Sequence, residues 1–180
     1  MIIGITGTLG AGKGSIVAYL KERGFVHYSG SAMLRKILEE RGDEVNRDAY
    51  SRLAGEIRGE DPQGLAKLLW QQYESEDPEH AVIEALHDLG EADFVKEKGG
   101  QIIAVDADID TRYHRVVARG SEKDKVTFDH FREQIQREEE GGGHHNIRAV
   151  INMADYVIMN NGTIEELHQE VERVLQEIEG

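Results

Sequence analysis

Three features of the sequence predict an α/β protein, with a five-stranded parallel sheet covered by helices on both faces. Short apolar runs alternate with segments of helical spacing along the whole chain. The apolar runs are continuous rather than alternating, as strands buried on both faces require. No internal repeat or long linker interrupts the alternation, and 180 residues suit a single domain, 1–180, with its own core.

Residues 2–6 form the first apolar run; it is brief, β-branched and closed by glycine, which favours a strand. Residues 13–23 then read as a helix, with Ile16, Val17 and Leu20 on one face and Gly24 as its stop. Residues 25–28 form a second strand, and 33–40 a helix ending at Arg41-Gly42. From 46 to 75 the chain is polar, with Leu53, Ile57, Leu65, Leu68 and Leu69 at helical spacing. Residues 59–62 break this stretch, and Pro62 suits the first turn of a new helix.

Residues 81–83 form a third strand, followed by a helix over 90–98 that Gly99-Gly100 ends. Residues 102–105 form a buried strand closed by Asp106, with helices over 111–119 and 126–140 after it. Residues 156–159 are the fifth strand, and Asn160-Asn161-Gly162 is a turn. The last helix covers 163–179, where Thr163 and Glu166 have capping-box spacing.

Composition narrows the chemistry. The chain has no cysteine, which removes disulfides, zinc thiolate sites and a Cys nucleophile. A net charge of −14 argues against polymeric nucleic acid and polybasic membrane contact, because polyanions are repelled on average. A small anionic ligand needs only a local cluster of N–H groups and cations. No apolar run is long enough for a membrane span, and Met1-Ile2-Ile3-Gly4 has no basic leader, so a cytoplasmic protein is expected.

The most specific motif is Gly7-Thr8-Leu9-Gly10-Ala11-Gly12-Lys13-Gly14-Ser15, which contains the G-x-x-x-x-G-K core of a phosphate-binding loop. Glycines let backbone N–H groups turn inward around phosphate oxygens, and the following helix N-terminus adds positive potential. Its context, after a buried strand and before a helix, supplies the specificity. The fold expected is therefore a three-layer α/β/α P-loop NTPase fold. The nucleotide contacts expected on this stretch are Gly7, Leu9, Gly10, Ala11, Gly12, Lys13, Gly14, Ser15 and Ile16. Gly14 follows the lysine where many such loops carry a hydroxyl; Ser15, one position on, is the candidate Mg²⁺ ligand.

The run G-x-x-G-A-G-K-G-S resembles the phosphate loop of adenylate kinase and its nucleoside monophosphate kinase relatives. Residues 28–35, Tyr-Ser-Gly-Ser-Ala-Met-Leu-Arg, resemble the segment after the second strand in the same family. That resemblance implies that Arg35, with Ser31 nearby, meets the phosphate of an acceptor nucleotide. Ala32 stands where the family carries an acidic residue. The C-terminal third is similar to dephospho-coenzyme A kinase, in residues 105–119 and again in 154–163 with Glu165-Glu166-Leu167. That family has an Asp after the second strand, and residues 28–34 contain neither Asp nor Glu. The overall pattern is similar to a group of nucleotide-kinase-like P-loop proteins related to both, in which an Arg follows the third strand where His87 stands here. The resemblance implies ATP as donor, Mg²⁺, and Asn160, Asn161 and Gly162 near the adenine. It also implies a small helical lid and acceptor region.

Other residues gain meaning from position. Arg115, Arg119 and Arg137 follow the fourth strand, where nucleotide kinases place a lid, and a lid arginine stabilises charge on the transferred group. The lid is expected over about 115–145, and the acceptor-binding excursion over about 30–80. Arg58 lies in that excursion, and a solvent-exposed arginine is its alternative. Glu84 and His87 follow the third strand, at the edge where open α/β sheets bind ligands. Glu84 suits a Mg²⁺ ligand or an acceptor contact; His87 suits a phosphate or a base. Asp106 and Asp108 read as turn residues before a helix, His144-His145 as loop, and 138–140 as a solvated helix end.

Together these predict transfer of the γ-phosphoryl of ATP to a nucleoside monophosphate. No general base is evident, and an anionic phosphate acceptor does not need one. Transfer to a hydroxyl, as in dephospho-coenzyme A kinase, is the alternative; an ATPase switch or a nucleotide-binding module without turnover are the others.

Overall fold

A computed structural model describes residues 1–84, 86–119, 127–140 and 146–180; for 47, 134 and 137–140 it describes the backbone alone. The strands are β1 (Ile2–Gly7), β2 (Val26–Ser29), β3 (Ala81–Glu84), β4 (Gln101–Asp106) and β5 (Tyr156–Met159). The helices are α1 (Lys13–Glu22), α2 (Gly30–Arg41), α3 (Arg47–Glu60), α4 (Gly64–Glu76), α5 (Leu89–Glu97), α6 (Ile109–Ala118), α7 (Phe128–Glu140), α8 (Ile147–Met153) and α9 (Ile164–Glu179).

The five strands form one parallel sheet in the order β2-β3-β1-β4-β5, with Gly4 opposite both Ile83 and Ile102. All five expected strands are present. Their period-two alternation divides the core between the faces. On one face Ile3, Ile5, Val82, Ile103 and Val105 pack against Ile16 and Leu20 of α1 and Leu167, Val171 and Val174 of α9. On the other, Ala81, Ile83 and Ile102 meet Leu69 and Trp70 of α4, Phe94 and Val95 of α5, and Val150 of α8.

Two smaller clusters lie away from the sheet. Leu34, Leu38, Leu53, Ala54 and Leu65 join α2, α3 and α4 into a helical arm. Val116 of α6 packs with Phe131 and Ile135 of α7, and Leu9 of the glycine-rich loop lies against them.

Some boundaries differ from the sequence reading. α2 starts at Gly30 rather than at 33, because the Ser29 hydroxyl caps it by accepting from the Ala32 N–H at 3.4 Å. α8 is not anticipated by the sequence reading: its seven residues are short, and Asn146 caps it by accepting from the Ala149 N–H. The loop segment at 120–125, the start of the expected helix at 126, and His144-His145 lie outside the described residues, as do the side chains of Arg137 and 138–140.

The order of the strands positions the site. β1 connects to β2 on one side, while the β3–β4 connection crosses to the other side of β1. This reversal opens a crevice beyond the carboxyl end of β1. Because every strand runs the same way, the ends of β3, β4 and β5 reach the same edge.

Candidate active site

The glycine-rich loop leaves β1 at Gly7 and enters α1 at Lys13. Its glycines are required by geometry. Gly10 has φ 81°, and a Cβ there would lie 2.7 Å from the Arg112 carbonyl. Gly12 has φ 113°, and its Cβ would lie 2.5 Å from Asn160 Nδ2. Gly14 is different: a Cβ there would meet nothing within 4 Å. No side chain caps α1 and its first turn holds no acid, whereas α2, α3, α5, α8 and α9 have side-chain caps. The Ser15 and Ile16 N–H groups donate to the Gly12 carbonyl, and no capping side chain competes with an anion for those of Lys13 and Gly14.

Neighbouring strand ends hold the loop. The Thr6 hydroxyl donates to the Leu86 carbonyl at 2.6 Å, and the Thr8 hydroxyl to Asp106 Oδ1 at 2.7 Å. Asn160 Nδ2 donates to the Ala11 carbonyl at 2.7 Å. Lys13 Nζ folds back over the loop and donates to the carbonyls of Gly7 (2.7 Å) and Thr8 (3.0 Å). Asp106 is a hub rather than a plain turn residue. It also accepts from the Ala107 N–H (2.9 Å) and from Arg148 (3.0 Å), with Arg112 Nε 3.9 Å away. Burial pushes its carboxyl up, but the bonds from Thr8, Ala107 and Arg148 and the nearby Arg112 outweigh it, so its pKa lies below the ordinary value.

Two cavities meet at this loop. One, of about 750 Å³, is lined by Gly10, Gly12, Lys13, Gly14, Ser15, Arg115, Ala118 and Arg119. The other, of about 720 Å³, runs under the helical arm past Ser31, Arg35, Tyr50, Arg58 and His87. Leu9, Lys13 and Glu84 line both. Each volume is in the range of small-molecule sites. The second cavity is lined both by the cationic side chains of Lys13, Arg35 and Arg58 and by Leu34, Val45, Ala54 and Leu65.

The sequence-derived candidates fall into three groups. Lys13, Ser15, Glu84, Arg119, Ser31, Arg35 and His87 all line a cavity. Arg35 is exposed, and its Nε donates to Glu39 at 2.9 Å one turn on. Arg115 lines the first cavity and also clamps the turn after β5. Its Nη1 donates to the Asn160 carbonyl (2.7 Å) and its Nη2 to the Gly162 carbonyl (3.1 Å). Asn161 accepts from the Asp108 N–H at 2.8 Å, and neither Asn161 nor Gly162 lines either of the two cavities. Gly7, Ala11 and Ile16 have a supporting position: Gly7 and Ala11 are buried, and the Ile16 side chain lies in the core.

Arg58 departs most from a surface arginine. It is 1 % exposed, and its Nε donates to Glu91 Oε1 at 2.7 Å. The other oxygen of Glu91 accepts from the N–H groups of His87 (2.9 Å) and Asp88 (3.3 Å). This pair ties the arm to the loop carrying His87. Glu91 was legible: Asp88-x-x-Glu91 has capping-box spacing, and the box is formed. His27 is a further residue the sequence reading leaves out of the site, while Asn160, expected near the adenine, holds the loop through the Ala11 carbonyl. His27 Nε2 lies 2.9 Å from Glu84 Oε2, a contact no local motif announces.

The oxygen-only donor set of Ser15 and Glu84 suits Mg²⁺, and the cradle at Gly10 and Gly12 suits phosphate. No group of three or more His, Asp or Glu residues that could hold a metal occurs among the described residues.

A parallel sheet of this order, with a G-x-x-x-x-G-K loop between its central strand and the next helix, defines a P-loop kinase-like protein. The chain belongs to the AAA domain family, whose profile matches residues 3–141, and to the UPF0200 proteins. It is 31 % identical to a UPF0200 protein of Thermococcus kodakarensis, over 99 % of this chain and 98 % of the relative. It is 29 % identical to one of Pyrobaculum aerophilum, over 98 % of each. Among solved structures it is similar to TT1252 of Thermus thermophilus, at 21 % identity and a TM-score of 0.62, over 100 % and 98 % of the two chains. Dephospho-CoA kinase of Campylobacter jejuni (19 % identity, TM-score 0.55, 98 % and 96 % covered) shares the fold. So does shikimate kinase of Acinetobacter baumannii (14 %, 0.58, 98 % and 93 %). This is the fold of nucleotide and small-molecule kinases and NTPases. No helix among the described residues is long and apolar enough to cross a membrane.

Proposed function

We propose that the protein is a cytoplasmic, ATP-dependent nucleotide kinase that transfers the γ-phosphoryl of ATP to a nucleoside monophosphate. The observation that carries this reading is the pair of cavities joined across Leu9, Lys13 and Glu84. One offers loop amides for a triphosphate; the other offers Arg35 and Ser31 for a phosphate and apolar lining for a flat base.

Phosphoryl transfer is mainly positioning and charge neutralisation. The loop N–H groups and Lys13 hold the β- and γ-phosphates. Arg35 aims the acceptor phosphate, while Arg58 fixes the arm through Glu91. An anionic oxygen of the acceptor attacks the γ-phosphorus, and the bond to the β–γ bridging oxygen breaks, leaving ADP. Arg119, with Arg115 and Arg137, neutralises charge from the lid side at about 115–145. Mg²⁺, held by Ser15 and Glu84, would supply charge neutralisation on the β- and γ-oxygens. Asn161 and Gly162 border the adenine.

One observation favours a second reading. Glu84 places a carboxylate at the wall common to both cavities, where it could accept a proton from a hydroxyl or from water. A hydroxyl acceptor of the dephospho-coenzyme A type, or hydrolysis as a switch, would use it.

ADP production with ATP, Mg²⁺ and a panel of monophosphates and dephospho-coenzyme A separates these readings. ADP with one monophosphate alone supports the first; ADP with a hydroxyl acceptor, or with none, supports the second. Lys13→Ala is expected to abolish turnover, and an unchanged rate would remove both.

A further inference from the structure

Glu84 stands where the two cavities meet, yet a carboxylate on a single bond rotates freely unless something holds it. His27 does so. It lies on β2, which pairs β3 with His27 opposite Val82 and Ser29 opposite Glu84. His27 and Glu84 therefore project from the same sheet face, two residues out of register. The ring nitrogen Nε2 is 2.9 Å from Glu84 Oε2, and both side chains are about four-fifths covered (21 % and 22 % exposed). A carboxylate only accepts, so Nε2 carries the hydrogen and donates. Among the described residues this is the hydrogen bond that Glu84 makes; it engages Oε2 and not Oε1, and Glu84 lines both cavities. His27 itself lines neither cavity.

We propose that His27 is a positioning residue, which fixes the rotamer of Glu84 so that Oε1 faces the junction between the phosphate loop and the acceptor cavity. The inference rests on the P-loop kinase reading and deepens it. Glu84 is the oxygen that would face Mg²⁺ with Ser15, and His27 decides where that oxygen points. Losing the outer partner of such a ligand typically weakens metal affinity or activity about 10–100-fold.

The test compares wild type with His27→Leu, His27→Gln, Glu84→Gln and His27→Leu/Glu84→Gln. It uses two readouts: kcat for ADP formation, and the calorimetric gain in ATP affinity that Mg²⁺ confers, which needs no turnover. Thermal melts confirm folding. His27→Leu is expected to lower kcat and the Mg²⁺ gain together, each about tenfold. His27→Gln, whose amide nitrogen can take the place of Nε2, is expected to restore most of both. The double variant is expected to match Glu84→Gln, since the histidine acts through the carboxylate. The inference is overturned if His27→Leu equals wild type, if His27→Gln fails like His27→Leu, if the two losses multiply, or if Glu84→Gln keeps the wild-type Mg²⁺ gain. A wild-type chain that binds ATP but forms no ADP under any condition removes the functional reading instead, and the calorimetric arm then still decides the role of His27.

Discussion

Arg58 and Glu91 form an ion pair with both side chains almost fully covered, at 2.7 Å. Such a pair adds little over an apolar isostere, but removing one partner strands the other charge. Glu91→Ala is therefore expected to lose about 3–5 kcal/mol in urea unfolding, whereas an exposed pair such as Arg35 with Glu39 should be worth under about 1 kcal/mol. Asp106 makes a second residue-scale prediction, with a definite sign. Its folded pKa is depressed, so the unfolded chain binds a proton more readily. The stability it contributes is fully present above the ordinary carboxylate value and is lost as pH falls through the lower folded value. Wild type and Asp106→Asn should differ by a constant amount near neutrality and converge in acid, as read from denaturation midpoints. The lowered pKa has no sequence signal, because Thr8, Arg112 and Arg148 come from three separate segments.

The phosphate loop is the element where sequence and structure agree most closely, since its glycines are local requirements. They are not equivalent, however. Gly12 needs a left-handed φ and has Asn160 against it, while Gly14 lies in the first turn of α1 with open space around it. Gly12→Ala is expected to abolish ATP binding. Gly14→Ala should keep ATP binding and raise stability by about 0.5–1 kcal/mol, because it removes a helical glycine. Calorimetry and thermal melts check both. The sequence alone treats both as glycines of one motif, because what separates them is a side chain from the end of β5. The helical arm shows the other limit. The apolar spacing of Leu53, Leu65 and Leu69 marked helices, but only packing shows Leu53 and Leu65 in the arm and Leu69 on the sheet.

Over the whole molecule the charge of −14 coexists with a site that gathers Lys13, Arg35, Arg58, Arg115 and Arg119 around two cavities. The excess of acids lies elsewhere and repels itself, so moderate salt should raise the unfolding midpoint, with sodium chloride and potassium chloride acting alike through screening. A midpoint that falls with salt would mean that exposed ion pairs such as Arg41 with Glu56 and Arg173 with Glu170 outweigh the repulsion. The sequence by itself determined the fold class, the five strands, the phosphate loop and most of the side chains that line the cavities. These depend on periodicity and on residues adjacent in the chain, which a linear reading contains. Tertiary structure alone decided the strand order, the joining of two cavities at Lys13 and Glu84, the burial of Arg58 against Glu91, and the hold of His27 on Glu84. Each brings together residues 33 to 98 positions apart, and such contacts come from how the strands stack, not from any local pattern.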